Sequence, residues 1–176
     1  ARALGLEIIQ IPLFAIVAMP HAVPAADGFD AILLTSINGA RHGGDCLTAL
    51  HHLPLYAVGA ASAAAARDAG HPAVHIGGGD AAATVPQMAA AGHRHVLHVA
   101  GADTHPFDPH GLIVTRCVVY RAEAVPAESV AARLAALGPA VIAVHSARAG
   151  ARLAELLAPG MRTALTIAAI SPAAAA

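Results

Sequence analysis

Short apolar runs alternate along the chain with alanine-rich stretches, and this alternation is its dominant pattern. Ala31–Leu34 and Leu55–Val58 are uninterrupted apolar segments of strand length. Such runs are the form taken by strands buried on both faces of a parallel sheet. Similar runs at 73–76, 95–100, 114–120, 141–144 and 165–170 predict further strands, and a β-like run at 7–11 is closed by Pro12. Between them, residues 38–50, 62–69, 80–91, 129–137 and 147–157 predict helices. Gly70, Gly92 and Gly138 stand where a glycine commonly ends a helix, and residues 102–111, with Pro106, Pro109 and Gly111, predict a loop. Strands that alternate with helices predict an α/β fold with parallel sheets flanked by helices. Ala1–Gly5 reads as the end of a helix with its glycine cap, and the chain stops in an alanine run after Pro172, so both ends read as cut.

The same unit occurs twice. Ala-Ile-Leu-Leu-Thr-Ser-Ile-Asn-Gly-Ala-Arg (31–41) and Val-Ile-Ala-Val-His-Ser-Ala-Arg-Ala-Gly-Ala-Arg (141–152) share a strand, one residue, a serine and a helix. Each is followed at matching spacing by a second strand that ends in small residues, at 56–63 and 167–174. Similar order at similar spacing predicts two related domains. A serine where a strand turns directly into a helix lies beside unpaired backbone N–H groups, a setting that favours anions. Ser36 and Ser146 also read as plain helix N-caps. Their duplication favours a shared role, with two such ends facing one another across a cleft to grip a polyanion.

Composition narrows the function classes. Apolar residues make up 57% of the chain and aromatics 3%, with no tryptophan, so the core is built from small and aliphatic side chains. The formal net charge is −1 with no strongly basic stretch, which argues against a nucleic-acid or polybasic membrane surface. All 10 Lys+Arg positions are arginine, whose planar fork suits carboxylates and phosphates. No apolar run of membrane-spanning length is free of proline, glycine or charge, and no secretory leader is expected. Cys46 and Cys117 lie far apart and form no CxxC, which predicts a reduced, cytoplasmic protein.

The 12 histidines include a cluster at His93, His95 and His98 that suggests a metal site. In a strand, however, His93 and His95 share one face and His98 takes the other, and no cysteine is near. No metal is expected. Gly77-Gly78-Gly79-Asp80 lacks the lysine of a phosphate-binding loop and the spacing of a dinucleotide fingerprint, so it reads as a flexible connection.

In family order, Leu33-Leu34-Thr35-Ser36-Ile37-Asn38-Gly39-Ala40-Arg41, Ala57-Val58-Gly59-Ala60-Ala61-Ser62-Ala63, Val118-Val119-Tyr120-Arg121, Val144-His145-Ser146-Ala147-Arg148-Ala149 and Ala169-Ile170-Ser171-Pro172 resemble the uroporphyrinogen-III synthases. The resemblance spans nearly the whole chain. It implies two similar α/β domains, each a parallel sheet flanked by helices, joined by a two-stranded linker. Residues 1–14 and 120–176 would form a discontinuous domain and 15–119 an inserted one. It implies a cytoplasmic monomer that closes linear hydroxymethylbilane to uroporphyrinogen III in haem biosynthesis, losing water and inverting ring D through a spiro intermediate. It implies neither metal nor cofactor. Tyr120 matches the family's tyrosine that assists the leaving hydroxyl. Thr35, Ser36, Asn38, Ser62, Gly101, Ser146, Arg148 and Ser171 fall at substrate-binding positions, where a polycarboxylate would meet hydroxyls, helix N-termini and an Arg fork.

The chain departs from the family pattern at several places. Ser62 replaces a threonine, Ser171 a glycine and Ala174 a second threonine, and the family's N-terminal Thr-Arg-Pro segment and C-terminal helix and tail are missing. Two alternatives stay open: a two-lobed protein that binds a small anion without chemistry, and an inactive truncated homologue.

Overall fold

Strand β2 (Ala31–Leu34) is buried at every residue because it is flanked on both edges and covered on both faces. It pairs in parallel with β3 (Leu55–Ala57) on one side and with β5 (His95–Gly101) on the other. Its Ile32 and Leu34 pack with Ala40, Cys46, Leu47, Ala63 and Ala66 from helices α1 (Ile37–His42), α2 (Gly44–Ala49) and α3 (Ala60–Asp68). Ala31 and Leu33 point the opposite way and meet Val85 and Met88 of α4 (Ala81–Ala90). This is the period-2 alternation of a strand read against two layers. Burying each such Ile or Leu side chain contributes about 1.5–3 kcal/mol.

The computed structural model describes residues 5–161 and 164–175. Its larger sheet also contains β1 (Phe14–Ala18), β4 (Val74–Ile76) and β6 (Ile113–Ala124), in the order β1-β6-β5-β2-β3-β4. The pairs β3–β4 and β5–β6 are parallel as well. After α5 (Ala127–Ala135), strands β7 (Ala140–Val144) and β8 (Leu165–Ala169) form a separate parallel pair, with α6 (Ala147–Leu156) between them and α7 (Pro172–Ala175) after β8. The chain divides into two compact units, Ala1–Ala15 with Glu123–Ala176, and Ile16–Ala122. It crosses between them inside the neighbouring strands β1 and β6.

The repeat is structural. In the larger unit Val58 N–H donates to the Leu34 carbonyl, and in the smaller Ile170 N–H donates to the Val144 carbonyl, each at 3.0 Å. Both bonds extend a parallel β–α–β pair just past its strand ends. The two sheets nevertheless differ in size, with six strands against two among the described residues. The smaller unit's core gathers Val130, Leu134, Val144, Leu153, Leu157 and Ala174.

Several local expectations change. The helix expected over 38–50 is two helices that meet at Gly43, whose N–H donates to the Gly39 carbonyl at 2.9 Å. A Cβ at Gly43 would lie 2.7 Å from that carbonyl oxygen and 2.9 Å from Val99 Cγ1. The β-like run at 7–11 forms no strand: Leu6, Ile8 and Ile9 are exposed and pairing begins only at Phe14. Gly77 and Gly78 are packed against Thr84 and Ala83 rather than loose, and Asp80 caps α4 by accepting from Ala83 N–H at 2.8 Å. Of the helix end expected over residues 1–5, residues 1–4 lie outside the described residues.

The histidines do not converge either. His93 hydrogen-bonds the Tyr56 hydroxyl at 3.1 Å, His98 is buried against Thr35, and His95 is exposed. The cysteines, remote in sequence, do meet: Cys46 Sγ and Cys117 Sγ are 3.3 Å apart as free thiols. Burial first, and then the hydrogen bond with Cys117, push the Cys46 thiol up to about 12.

The close approach at Gly43 makes Gly43→Ala an overpacking change. It is expected to lower stability by about 1–3 kcal/mol, read as a reduced midpoint in urea denaturation with an unchanged m-value.

Candidate functional site

Strand order reverses at β2. From β2 the chain builds outward through β3 and β4, then returns to β2's other edge with β5 and continues to β6. In open parallel sheets a crevice opens at such a point, beyond the C-terminal ends of the strands, and ligands bind there. The registers place Leu34 beside both Ala57 and Val99, so the segments that follow β2 and β3 and the end of β5 all reach the same edge. Thr35, Ser36, Asn38 and Gly101 stand on that edge, with Ser62 one turn into α3.

Tyr120 reaches the edge through an irregularity. Val118 pairs with Ala100 but Tyr120 pairs with Gly101, so Val119 is an extra residue in β6. A bulge of this kind re-aims the side chain beyond it. Val119 and Tyr120, successive residues, both pack toward the cluster formed with α1–α3. The Tyr120 ring then lies directly on Gly101: a Cβ there would be 2.6 Å from Cζ and 2.9 Å from the hydroxyl oxygen. Glycine is required at 101 for this contact. Gly101 is buried and Tyr120 half-buried, with the His42 ring 6.0 Å away at a tilt of 37°.

The serine and threonine hydroxyls are held by local bonds. Ser36 Oγ accepts from Asn38 N–H at 3.1 Å and so caps α1. Thr35 Oγ1 is 2.9 Å from His98 Nε2. Burial, and secondarily the Arg116 cation, push His98 down to about 4, so it is a neutral partner near pH 7. A hydroxyl that accepts one hydrogen bond still has its own hydrogen to donate, so Ser36 remains a donor toward the crevice. Ser62 differs from expectation. The α3 N-cap is Gly59, and Ser62 lies inside the helix and is buried, because α3 begins earlier, at Ala60.

In the smaller unit, Ser146 Oγ accepts from Ala149 N–H at 3.2 Å and caps α6. Arg148, exposed on the same turn, lays its guanidinium 4.5 Å from the centroid of the Phe14 ring. Ser171 is exposed between β8 and α7, and its carbonyl accepts from Ala174 N–H at 3.0 Å. These three residues occupy the C-terminal edge of the β7–β8 pair, the counterpart of the Thr35–Asn38 edge.

Residue patterns alone did not single out His42 or the role of His98. Both act through non-local neighbours, Tyr120 and Thr35, and one of many histidines in a sequence carries no such signal. One cavity, of about 210 Å³, lies elsewhere: His21, Ala22, Pro24, Leu97 and residues 115–118 line it. It sits part-way along β5 and β6, away from the strand ends. The switch-point edge has the stronger claim because the directed hydroxyls and Tyr120 gather there.

Comparison with known proteins agrees with this architecture. The fold resembles the crystal structure of uroporphyrinogen-III synthetase from Helicobacter pylori, with a TM-score of 0.72 and 17% identity over 93% of this chain and 78% of that one. A mutant uroporphyrinogen III synthase from Thermus thermophilus gives a TM-score of 0.58 and 21% identity over 99% of this chain and 79% of that one. At such identities the likeness speaks for the fold. No curated protein sequence matches significantly. The family profile described as uroporphyrinogen-III synthase HemD matches residues 1–176. The chain therefore belongs to the uroporphyrinogen-III synthase family, the cyclising lyases of tetrapyrrole biosynthesis.

Proposed function

We propose that hydroxymethylbilane is dehydrated and closed at the C-terminal edge of the larger sheet, with Tyr120 as the catalytic acid. The observation that carries this reading is the bulge that lays the Tyr120 ring on Gly101, at the end of β5, the strand paired with the β2 that Thr35 and Ser36 follow. Loss of the hydroxymethyl oxygen as water needs a proton donor at that oxygen, while the pyrrole nitrogen lone pair pushes the hydroxyl out. A phenol is a weak acid near neutrality, suited to hydrogen-bonding the departing group without protonating the pyrroles at large. Ser36 donates its hydroxyl hydrogen to the substrate's carboxylates, Thr35 does the same in the His98 tautomer whose Nε2–H donates to Thr35 Oγ1, and Asn38 continues the same turn.

Ser146, Arg148 and Ser171 supply a second set of carboxylate donors on the matching edge of the smaller unit. The stacking of Arg148 on Phe14 fixes part of its side chain and lowers the entropy lost on binding. Ser62, buried in α3, shapes the edge through packing rather than by touching substrate. The larger share of catalysis is conformational: a flexible linear tetrapyrrole must be held with its ends in register so that the inverted closure outruns the spontaneous one, an orientational term. The two compact units are read as the family's inserted and discontinuous domains, and β1 with β6 as their linker. A cytoplasmic location suits a chain with two free thiols, and the monomeric state is taken from the family resemblance.

Two substitutions separate the hydroxyl from its placement. Tyr120→Phe keeps the ring and removes the acid. It is expected to lower kcat by roughly 10²-fold, the low end for general acid catalysis because the pyrrole supplies much of the driving force. Unchanged turnover to the type III isomer would remove Tyr120 from the chemistry. Gly101→Ala keeps the hydroxyl but forces the ring aside. Since the clash falls on the end of a movable side chain, stability should stay within about 1 kcal/mol of the parent while type III formation falls. Full activity in Gly101→Ala would show that the observed ring position is not the working one.

A further inference from the structure

We propose that His21, Cys46 and Cys117 form a binding site for a thiophilic divalent cation, with Zn²⁺ as the fitting ion, apart from the substrate edge. His21 follows β1, Cys46 lies on α2 and Cys117 in β6, so three separate segments converge. One donor atom from each lies within 4.8 Å of the other two, the only such group of three His, Cys, Asp or Glu side chains among the described residues. Both cysteines are buried and the two sulfurs are 3.3 Å apart. Zn–S bonds of about 2.3 Å and Zn–N bonds of about 2.0–2.1 Å at tetrahedral angles separate ligand atoms by roughly 3.5–3.8 Å. The sulfurs need to open slightly and the imidazole to close, movements within reach of side-chain rotation.

Two features outside the donor triad point the same way. His21 Nδ1 is 2.9 Å from the Met19 carbonyl oxygen. If Nδ1–H donates that bond, Nε2 keeps the free lone pair, and a backbone carbonyl on the second ring nitrogen is the usual support of a metal-bound histidine. The cavity of about 210 Å³ is lined by His21 and Cys117, giving a path of entry and room for water at the fourth position of a three-ligand site. Two thiolates and Zn²⁺ sum to zero charge, which makes burial tolerable. Binding exchanges two S–H protons, released to solvent, for two Zn–S bonds, and no electron is transferred. The bound ion would tie α2 to β6 and to the segment leaving β1.

Cobalt(II) serves as the spectroscopic probe, added to the full chain after chelation and under a non-thiol reductant. The expected result is a single equivalent bound, with a near-ultraviolet thiolate-to-cobalt charge-transfer band and visible bands of tetrahedral symmetry, all displaced by Zn²⁺. Cys46→Ser and Cys117→Ser should each weaken the charge-transfer band and the double variant should abolish it, with unchanged far-ultraviolet circular dichroism showing that they fold. His21→Ala should weaken binding by roughly tenfold or more, while the exposed His95→Ala leaves it unchanged. In the parent protein, Zn²⁺ should shield both thiols from alkylation, an outcome independent of any variant. Cobalt bound without the charge-transfer band, or a band that survives both cysteine substitutions, would overturn the proposal by assigning binding to surface histidines. Absence of free thiols before reduction would overturn it too, because the resident state of the pair would then be a disulfide.

Discussion

Parallel pairing of β2 with strands on both of its edges is the constraint on which the rest of the larger unit depends. A strand of four residues, all buried, can be satisfied only if each edge finds a ladder partner and each face finds a helix layer. The chain meets this by building to one side with β3 and β4 and returning to the other with β5 and β6. Helices α1–α3 then cover one face and α4 the other. In open parallel sheets such a reversal leaves a crevice at the strand ends, and the proposed chemistry is placed there. A family whose substrate is a long polycarboxylate is well served by an open edge lined with hydroxyls and backbone donors.

Tyr120 shows how a small backbone irregularity becomes a functional device. Regular alternation would send Val119 and Tyr120 to opposite faces, but one unpaired residue in β6 turns both toward the α1–α3 side. Glycine at 101 then leaves room for the ring against the neighbouring strand. His42, at the end of α1, places its ring 6.0 Å from that of Tyr120. The tyrosine is thus placed by three elements at once, while Thr35 and Ser36 are held by a neutral histidine and by a helix cap.

Much of this was legible in the sequence where burial is two-sided. Ala31–Leu34 reads as a strand to the residue because nothing polar interrupts it, and Ser36 and Ser146 read as caps because a serine at a strand–helix turn has little else to bond. Half-exposed elements were harder. Phe14–Ala18 is an edge strand in which only Phe14 and Val17 are partly covered, so it lacks a clean alternation, whereas the run at 7–11, with Ile8 and Ile9 exposed, reads as a strand and has no partner. Position-specific contacts were not legible at all. The bulge depends on register between two strands, and the meeting of Cys46 with Cys117 depends on α2 packing across β6. The family resemblance supplied Tyr120 and Gly101 as positions, but the structure supplies the contact between them.

The proposed placement of substrate chemistry at the switch-point edge of the larger sheet is open to direct test. The most direct measurement is an amide chemical-shift map of the isotopically labelled protein titrated anaerobically with uroporphyrinogen III. The largest perturbations in residues 16–122 are expected at Thr35–Gly39 and at Gly101–Ala102, with the Tyr120 ring signals shifting in step. Perturbations centred instead on the cavity beside His21 and Thr115–Val118, with residues 35–39 and 101 unmoved, would contradict it.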